Sequence, residues 1–511
     1  MNAMVDDPTP VGPDSLVGPE SPLGQRAASG VLWLTAQKWV VRLAGLATIA
    51  ILTRLLSPED FGVVAAAMTV LPFFYLLSDL GFATYIVQAD APDQRVLSSG
   101  FWFSAVAGLV LTAVLFAAAP LFGVMFSSPD VIPVIQVLSI AVLFTAVSSV
   151  PTALLRRRMQ FRALAVQGLV ASVLAQVVAI AMALSGLGVW ALVGQTLTSQ
   201  VVMTILACVA ARWLPSWLFS WPELKAMTTF GTKVLSVELV AMTRAAVEAA
   251  IVSASLGLTA FGYLTIAQKL VQIVQDLTGA AVLPVTTVAF AKLRGSAERL
   301  TAAYTRALRM LYAVMAPPLV LLAVAGPLII PIVFGPGWEQ SFRVAQFLAL
   351  AGTVVVGATL DHGLFYGLGR PGRWFFYAVV VDILTVAVTA LAVHSGLVAV
   401  AVGFLIVAVV ATIGRWFLVA GLIRTPVRSF ARPFVFLITT VLVSGGAGLA
   451  VIAITGTLPP IVRIILAGAA VLAAHAGVAS LLVRPVFGDL AAFVPRHGRQ
   501  RTSHRPKKEI T

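Results

Sequence analysis

One cysteine in 511 residues, Cys208, excludes an internal disulfide and any cysteine-cluster metal site, and its apolar surroundings mark it as a small core residue. Charge is also scarce: Asp, Glu, Lys and Arg together make up 11% of the chain against 59% hydrophobic residues, and mean hydropathy is +0.99. A soluble globular fold does not carry that ratio, so the chain is a polytopic membrane protein. Also missing are a G-x-x-x-x-G-K-[ST] loop and the H-E-x-x-H, G-x-S-x-G and Asp-x-Asp motifs. ATP hydrolysis by a P-loop is thereby excluded, and neither a cofactor nor a metal is expected. The net charge of +14 does not imply nucleic acid as a partner, because Lys and Arg are spread through short loops and a basic C-terminal tail without interleaved exposed aromatics.

What the chain does have is apolar runs. About fourteen of them, each long enough for roughly 30 Å of hydrocarbon, lie between residues 28 and 483, which predicts an all-α fold of about 14 transmembrane helices. Pro and Gly recur at the joints. Ser57 reads as an N-cap with Pro58 at the first helical position and Glu59 and Asp60 in the positive first turn. Every second loop is basic, as at Arg156, Arg157, Arg158 and Arg162, so these loops and both termini are expected in the cytosol. The turns near Ser57, Ser128 and Gly337 then lie outside.

An internal repeat gives further organisation. Phe61-Gly62 opens the second run and Phe261-Gly262 the eighth, while Pro120 with Phe126 is echoed by Pro327 with Phe334. The repeated element starts on the same side each time, so two parallel, pseudo-symmetric six-helix bundles are expected, with a site between them near the midplane. The corresponding segments are a disordered cytosolic tail at 1–26, bundles at 27–213 and 214–425, two further transmembrane helices at 426–485 and a basic cytosolic tail at 486–511.

Three motifs carry a family resemblance. Leu55-Leu56-Ser57-Pro58-Glu59-Asp60-Phe61-Gly62, Ser78-Asp79-Leu80-Gly81-Phe82 and Phe334-Gly335-Pro336-Gly337-Trp338 resemble the polysaccharide-exporter (Wzx-like) oligosaccharide flippases, over roughly residues 27 to 485. The superfamily also contains multidrug/toxin extruders and peptidoglycan lipid-precursor flippases. The resemblance implies a V of two bundles in a bacterial inner membrane. It also implies transport, without catalysis, of a polyprenyl-pyrophosphate-linked oligosaccharide from the cytosolic to the outer leaflet. Membrane lipids and a polysaccharide polymerase or export machinery are the partners it implies. The alternatives are a peptidoglycan lipid-precursor flippase and a multidrug/cation antiporter, for which an acidic cavity is expected.

Ionisable groups at membrane depth are the candidate site residues, since each is costly unless solvated or paired. Lys38, Arg42, Lys233, Arg244 and Lys269 are read as a hydrated cationic cavity for the pyrophosphate, to which Arg offers paired donors and Lys a point charge. Internal pairing, such as Arg244 with Glu248 one turn later, is the competing reading. Asp79, Asp276, Asp361 and Asp382 are the candidates for holding H⁺ or Na⁺, with Ser78 offering Asp79 an adjacent oxygen. Trp213, Trp217 and Trp221 are read as an interfacial belt.

Overall fold

A computed structural model describes residues 22–89, 93–279 and 296–482, together with Phe290 and Leu293. Among these residues there is no strand. The first half of the chain forms α1 (Pro22–Leu55), α2 (Pro58–Asp79), α3 (Phe82–Gln88), α4 (Gln94–Met125), α5 (Val131–Leu138), α6 (Ile140–Arg157), α7 (Phe161–Leu184) and α8 (Trp190–Ala211). The second half begins with the long α9 (Trp221–Gly279), followed by α10 (Ala297–Phe334), α11 (Glu339–Val355), α12 (Ala358–Gly367), α13 (Pro371–Ala392), α14 (Leu397–Ile423), α15 (Ala431–Ile454) and α16 (Pro460–Leu482). Twelve described segments are long and apolar enough to cross a membrane. One of them, Met242–Asp276, contains a break at Gly257 (φ 84°), where α9 doubles back. The Gln268 amide donates to the Glu248 carboxylate at 3.2 Å across that fold, so α9 supplies two crossings. With α1, whose cations lower its hydropathy, the expected fourteen are accounted for.

The helix starts follow the sequence chemistry. Ser57 caps α2 by accepting from the Asp60 N–H while the Asp60 carboxylate accepts from the Ser57 N–H, a reciprocal capping box with Pro58 in the first turn. Three expected spans are interrupted. The run 59–88 breaks at Leu80 (φ 44°) and Gly81 (φ 74°), the run 130–154 at Ser139, and the run 342–367 between Val355 and Ala358. Around Ser139 and Val356 the apolar run continues through the kink, so periodicity alone does not show it, whereas Ser78, Asp79 and Gly81 mark the first break in the sequence. Pro22 opens α1 inside the segment expected as an N-terminal tail; residues 1–21 and the basic tail lie outside the described residues.

The cores define the shape. One cluster joins both halves at the end carrying the turns at Ser57, Gly257 and Gly337: Leu52, Leu56, Phe61 and Leu71 pack with Leu258, Phe261, Leu264, Phe334 and Trp338. At the other end the halves have separate cores. Phe82, Ile86, Leu97 and Leu154 belong to the first, and Tyr304, Leu311, Leu360 and Phe365 to the second. The result is a V that is sealed at one end. α15 and α16 pack on α10 through Val320, Val324 and Val471, outside the two bundles.

The connector between bundles is docked rather than free. Trp213 Nε1 donates to Gln94 Oε1 at 2.7 Å, Trp102 Nε1 donates to the Ser216 carbonyl at 2.9 Å, and the Ser220 N–H donates to Ser99 Oγ at 2.8 Å. Trp217 stacks on Trp102 with ring centroids 4.4 Å apart. Two of the three tryptophans read as an interfacial belt therefore fasten the connector to α4. Leu224 and Met227, in the first turns of α9, likewise pack in the core of the first bundle.

Candidate functional site

The sealed end is built on the repeat. α2 and the second limb of α9 cross so closely that a Cβ at Gly62 would lie 1.9 Å from the Leu258 carbonyl oxygen, and one at Gly262 1.9 Å from that of Pro58. Only glycine permits this approach, which is the membrane use of small residues at helix crossings. Around the crossing, Trp338 is 1% exposed. Its Nε1 donates to the Thr53 carbonyl at 2.9 Å and its ring meets Phe61 edge-on at 5.4 Å. Arg54 Nη2 donates to the Ile332 carbonyl at 2.6 Å. Both ends of the family motifs, Phe61-Gly62 and Trp338, thus form one clamp.

Below the clamp the facing surfaces turn polar. Residues 262, 269 and 276 recur every seven positions, so Lys269 and Asp276 share the α9 stripe that meets the first bundle. Asp276 pairs with Arg42 of α1, Nη2 to Oδ2 at 2.8 Å, and Arg42 Nη1 also donates to the Asp276 backbone carbonyl at 3.0 Å. This pair bridges the bundles in the part of the V where their cores have separated. Lys269, about 10 Å nearer the clamp, and Lys38, about 6 Å further from it, are exposed. Neither has an ion pair among the described residues. The structure therefore brings Arg42 and Asp276 together between the bundles, and helical spacing puts Lys38 on the Arg42 face of α1 and Lys269 on the Asp276 face of α9. Lys233 lies on α9, but its side chain lies outside the described residues.

Arg244 sits elsewhere. It faces a chamber of about 530 Å³ inside the second bundle, between α9, α11, α13 and α14. There it donates to Glu248 at 2.7 Å and pairs with Asp382 through Nε at 3.1 Å. The pairing with Glu248 expected from the one-turn spacing is present, and Asp382, from a helix far along the chain, is its second partner. Arg415 also lines the chamber. Its Nε lies 2.9 Å from Asp361 Oδ2, with the two side chains 1% and 0% exposed. Tyr304 donates to the other Asp361 oxygen, and the Tyr312 hydroxyl lies beside the guanidinium against Gly357. Asp361 is thus enclosed in a neutral buried pair. The cationic bias expected of the cavity does not extend to this chamber, where Arg244 is matched by Glu248 and Asp382 and Arg415 by Asp361.

Asp79 stands at the break between α2 and α3. It accepts from Ser149 Oγ and, at 3.4 Å, from the Ala83 N–H. The oxygen expected from Ser78 is turned away, since Ser78 Oγ donates to the Tyr75 carbonyl at 2.8 Å. His362 stacks on Tyr366 with centroids 4.3 Å apart. No group of three or more His, Cys, Asp or Glu side chains suited to a metal ion occurs among the described residues. Sequence reasoning missed the aromatic wall of the chamber, Trp374 and Tyr377, because two aromatics one turn apart in an apolar run read as ordinary membrane packing.

Two six-helix bundles clamped at one end over a polar cleft define a membrane transporter fold. The chain is similar to the lipid II flippase MurJ in an inward closed conformation, with a TM-score of 0.72 at 13% identity over 89% of this chain and all of that one, a likeness of fold. It belongs to the polysaccharide biosynthesis protein family, whose model matches residues 51–343. Among curated relatives it is 26% identical to the succinoglycan biosynthesis transport protein ExoT of Rhizobium meliloti over 344 residues, 67% of this chain and 69% of the relative. It is 23% identical to the lipopolysaccharide biosynthesis protein WzxC of Escherichia coli over 439 residues, 84% and 88% of the two chains.

Proposed function

We propose that the protein moves a polyprenyl-pyrophosphate-linked oligosaccharide, a precursor of cell-surface polysaccharide, from the cytosolic to the outer leaflet of a bacterial cell membrane. The observation that carries this reading is the Arg42–Asp276 pair, which bridges the two bundles below the Gly62/Gly262 crossing, with Lys38 one turn from Arg42 and Lys269 two turns from Asp276 on the same helix faces. Cations left facing lipid would each cost about 2.5 to 3.5 kcal/mol, so Lys38 and Lys269, which have no ion pair among the described residues, call for a hydrated, anion-accepting cleft. The membership of the polysaccharide biosynthesis family and a transport relative support a transporter over an enzyme. A cation antiporter would place acids where this stripe has bases. A peptidoglycan lipid precursor, with the same pyrophosphate, is the second reading.

The alternating loop charges put the sealed end outside and the separated end in the cytosol. In that orientation Lys38 is the first cation met from the cytosol, Arg42 the second and Lys269 the third. Arg42 holds Asp276 until a pyrophosphate arrives, and the incoming anion takes over its paired donors. The substrate's exchange for Asp276 then loosens the one ion pair described between the bundles. Movement of negative charge outward is favoured by an inside-negative potential, about 2.3 kcal/mol per charge per 100 mV. Asp79 and Asp382 are the acids placed to add H⁺ or Na⁺ coupling. Asp361, enclosed with Arg415, has a structural role.

The test is reconstitution. Full-length protein in vesicles should transfer a fluorescent saccharide-pyrophosphate polyprenyl lipid between leaflets in an inside-negative potential, and a muropeptide-bearing lipid at a much lower rate. Equal transfer in protein-free vesicles would reject the reading, and preference for the muropeptide lipid would select the second one.

A further inference from the structure

The chamber in the second bundle differs in chemistry from the cleft. Both of its guanidinium groups already face carboxylates, Arg244 with Glu248 and Asp382 and Arg415 with Asp361, so it offers an anion no free cation. What it does offer is aromatic faces and amides. Trp374 and Tyr377 line it side by side, with ring centroids 5.3 Å apart and planes inclined by 37°. Phe365 backs Trp374 at 5.7 Å. The Tyr377 hydroxyl donates to the Ala411 carbonyl at 2.9 Å, which holds that ring by its polar end and leaves a face for contact. Gln268 and Gln272 line the same space. Gln268 is anchored on Glu248, whereas the exposed Gln272 amide and the Trp374 indole N–H have no hydrogen-bond partner among the described residues.

An apolar ring face beside free donors and acceptors suits a ligand whose own surface is half C–H and half hydroxyl. We infer that this chamber binds a neutral sugar ring of the substrate, stacked on Trp374 and Tyr377 with its hydroxyls hydrogen-bonded to Gln272 and Gln268. The inference rests on the flippase reading and deepens it by separating two tasks: the cleft cations take the pyrophosphate, and the second bundle selects the saccharide. The volume of about 530 Å³ falls within the range of small-molecule sites, roughly 300–1,000 Å³. A site that hydrogen-bonds hydroxyls also discriminates, because an analogue lacking one leaves polar groups of the site unpaired. Selection of the sugar is thereby placed in one bundle.

Two readouts test it. In vesicles, Gln272→Leu and Trp374→Ala should each slow transfer of a neutral-oligosaccharide pyrophosphate lipid by about tenfold, the loss expected for one ligand contact, while Trp374→Tyr, which keeps a ring face, should retain most of the rate. In detergent, the free oligosaccharide at millimolar concentration should protect Thr385→Cys, in a Cys208→Ala background, from a thiol reagent, and Trp374→Ala should abolish that protection. Wild-type transfer that is unchanged in Gln272→Leu and Trp374→Ala, with no protection by saccharide, overturns the chamber assignment and leaves the flippase reading standing. Protection by saccharide in a protein that transfers no lipid overturns the flippase reading and supports the chamber as a sugar site.

Discussion

Replacing Gly62 with alanine should open the sealed end. The added methyl would sit 1.9 Å from the Leu258 carbonyl oxygen, where about 3.4 Å is the closest ordinary contact, so α2 and α9 must part by about 1.5 Å. Backbone lies on the far side of that contact, and no flexible side chain can give way. Overpacking of this kind costs typically about 1–3 kcal/mol, and the cost falls only on the conformation in which the crossing is closed. The equilibrium should therefore shift by roughly 5- to 150-fold toward states open at that end. A cysteine at position 269, introduced as Lys269→Cys in a Cys208→Ala background, reports the change, because it lies in the cleft behind the crossing. Labelling by a membrane-impermeant thiol reagent added to intact cells should be slow with Gly62 intact and faster in Gly62→Ala. The pseudo-symmetric Gly262→Ala should behave alike, since its methyl meets the Pro58 carbonyl at the same 1.9 Å. Unchanged labelling in both variants, with normal membrane insertion, would refute the view that this crossing seals the cleft, and accelerated labelling in one alone would refute its symmetry.

Three further outcomes are expected. Arg42→Ala should abolish export of the polysaccharide while leaving insertion intact, and Arg42→Lys should recover part of it at most, measured as cell-surface polymer in a complementation assay. Arg415→Met should strand the enclosed Asp361 carboxylate at a cost of about 3–5 kcal/mol, lowering the detergent melting temperature by roughly 5 °C or more; Arg415→Met combined with Asp361→Leu should recover much of that loss, and no recovery would mean the pair does more than balance charge. Asp79→Asn and Asp382→Asn should weaken transfer driven by an ion gradient in vesicles, whereas normal transfer by both, together with arrest on collapsing the potential alone, would leave the potential as the sole driving force.

Local chemistry was legible in the sequence and distant contact was not. The capping box at Ser57 follows from residues three apart, and the span count follows from the length of apolar runs. The repeat Phe61-Gly62/Phe261-Gly262 pointed to symmetry, and the structure adds that the two copies touch. No spacing rule connects Arg42 with Asp276 or Arg244 with Asp382, because those partners are set by how helices from separate parts of the chain pack. The Asp79 environment illustrates the same limit: its neighbour in sequence, Ser78, turns to its own helix, while Ser149 from α6 supplies the hydroxyl. The chamber was hidden for a different reason. Trp374 and Tyr377 look like any lipid-facing pair until α9, α11 and α14 close around them.

The core at the sealed end also constrains how the protein is made. Leu52 to Leu71 share their core with Leu115 to Val142 of the first half and with Leu258 to Val271 and Phe334 to Ala349 of the second, so about 180 residues must be synthesised after α2 before it meets the second limb of α9. At translation rates of about 5–20 residues per second, that interval is roughly 10 to 40 s. Within it, the first bundle completes its core at one end only once Leu224 and Met227 of α9 have joined, and the glycine-notched surface at the other end still lacks the second limb of α9. The insertion machinery, or bilayer lipid, must cover that surface, and misassembly with a second nascent chain is the hazard if it does not.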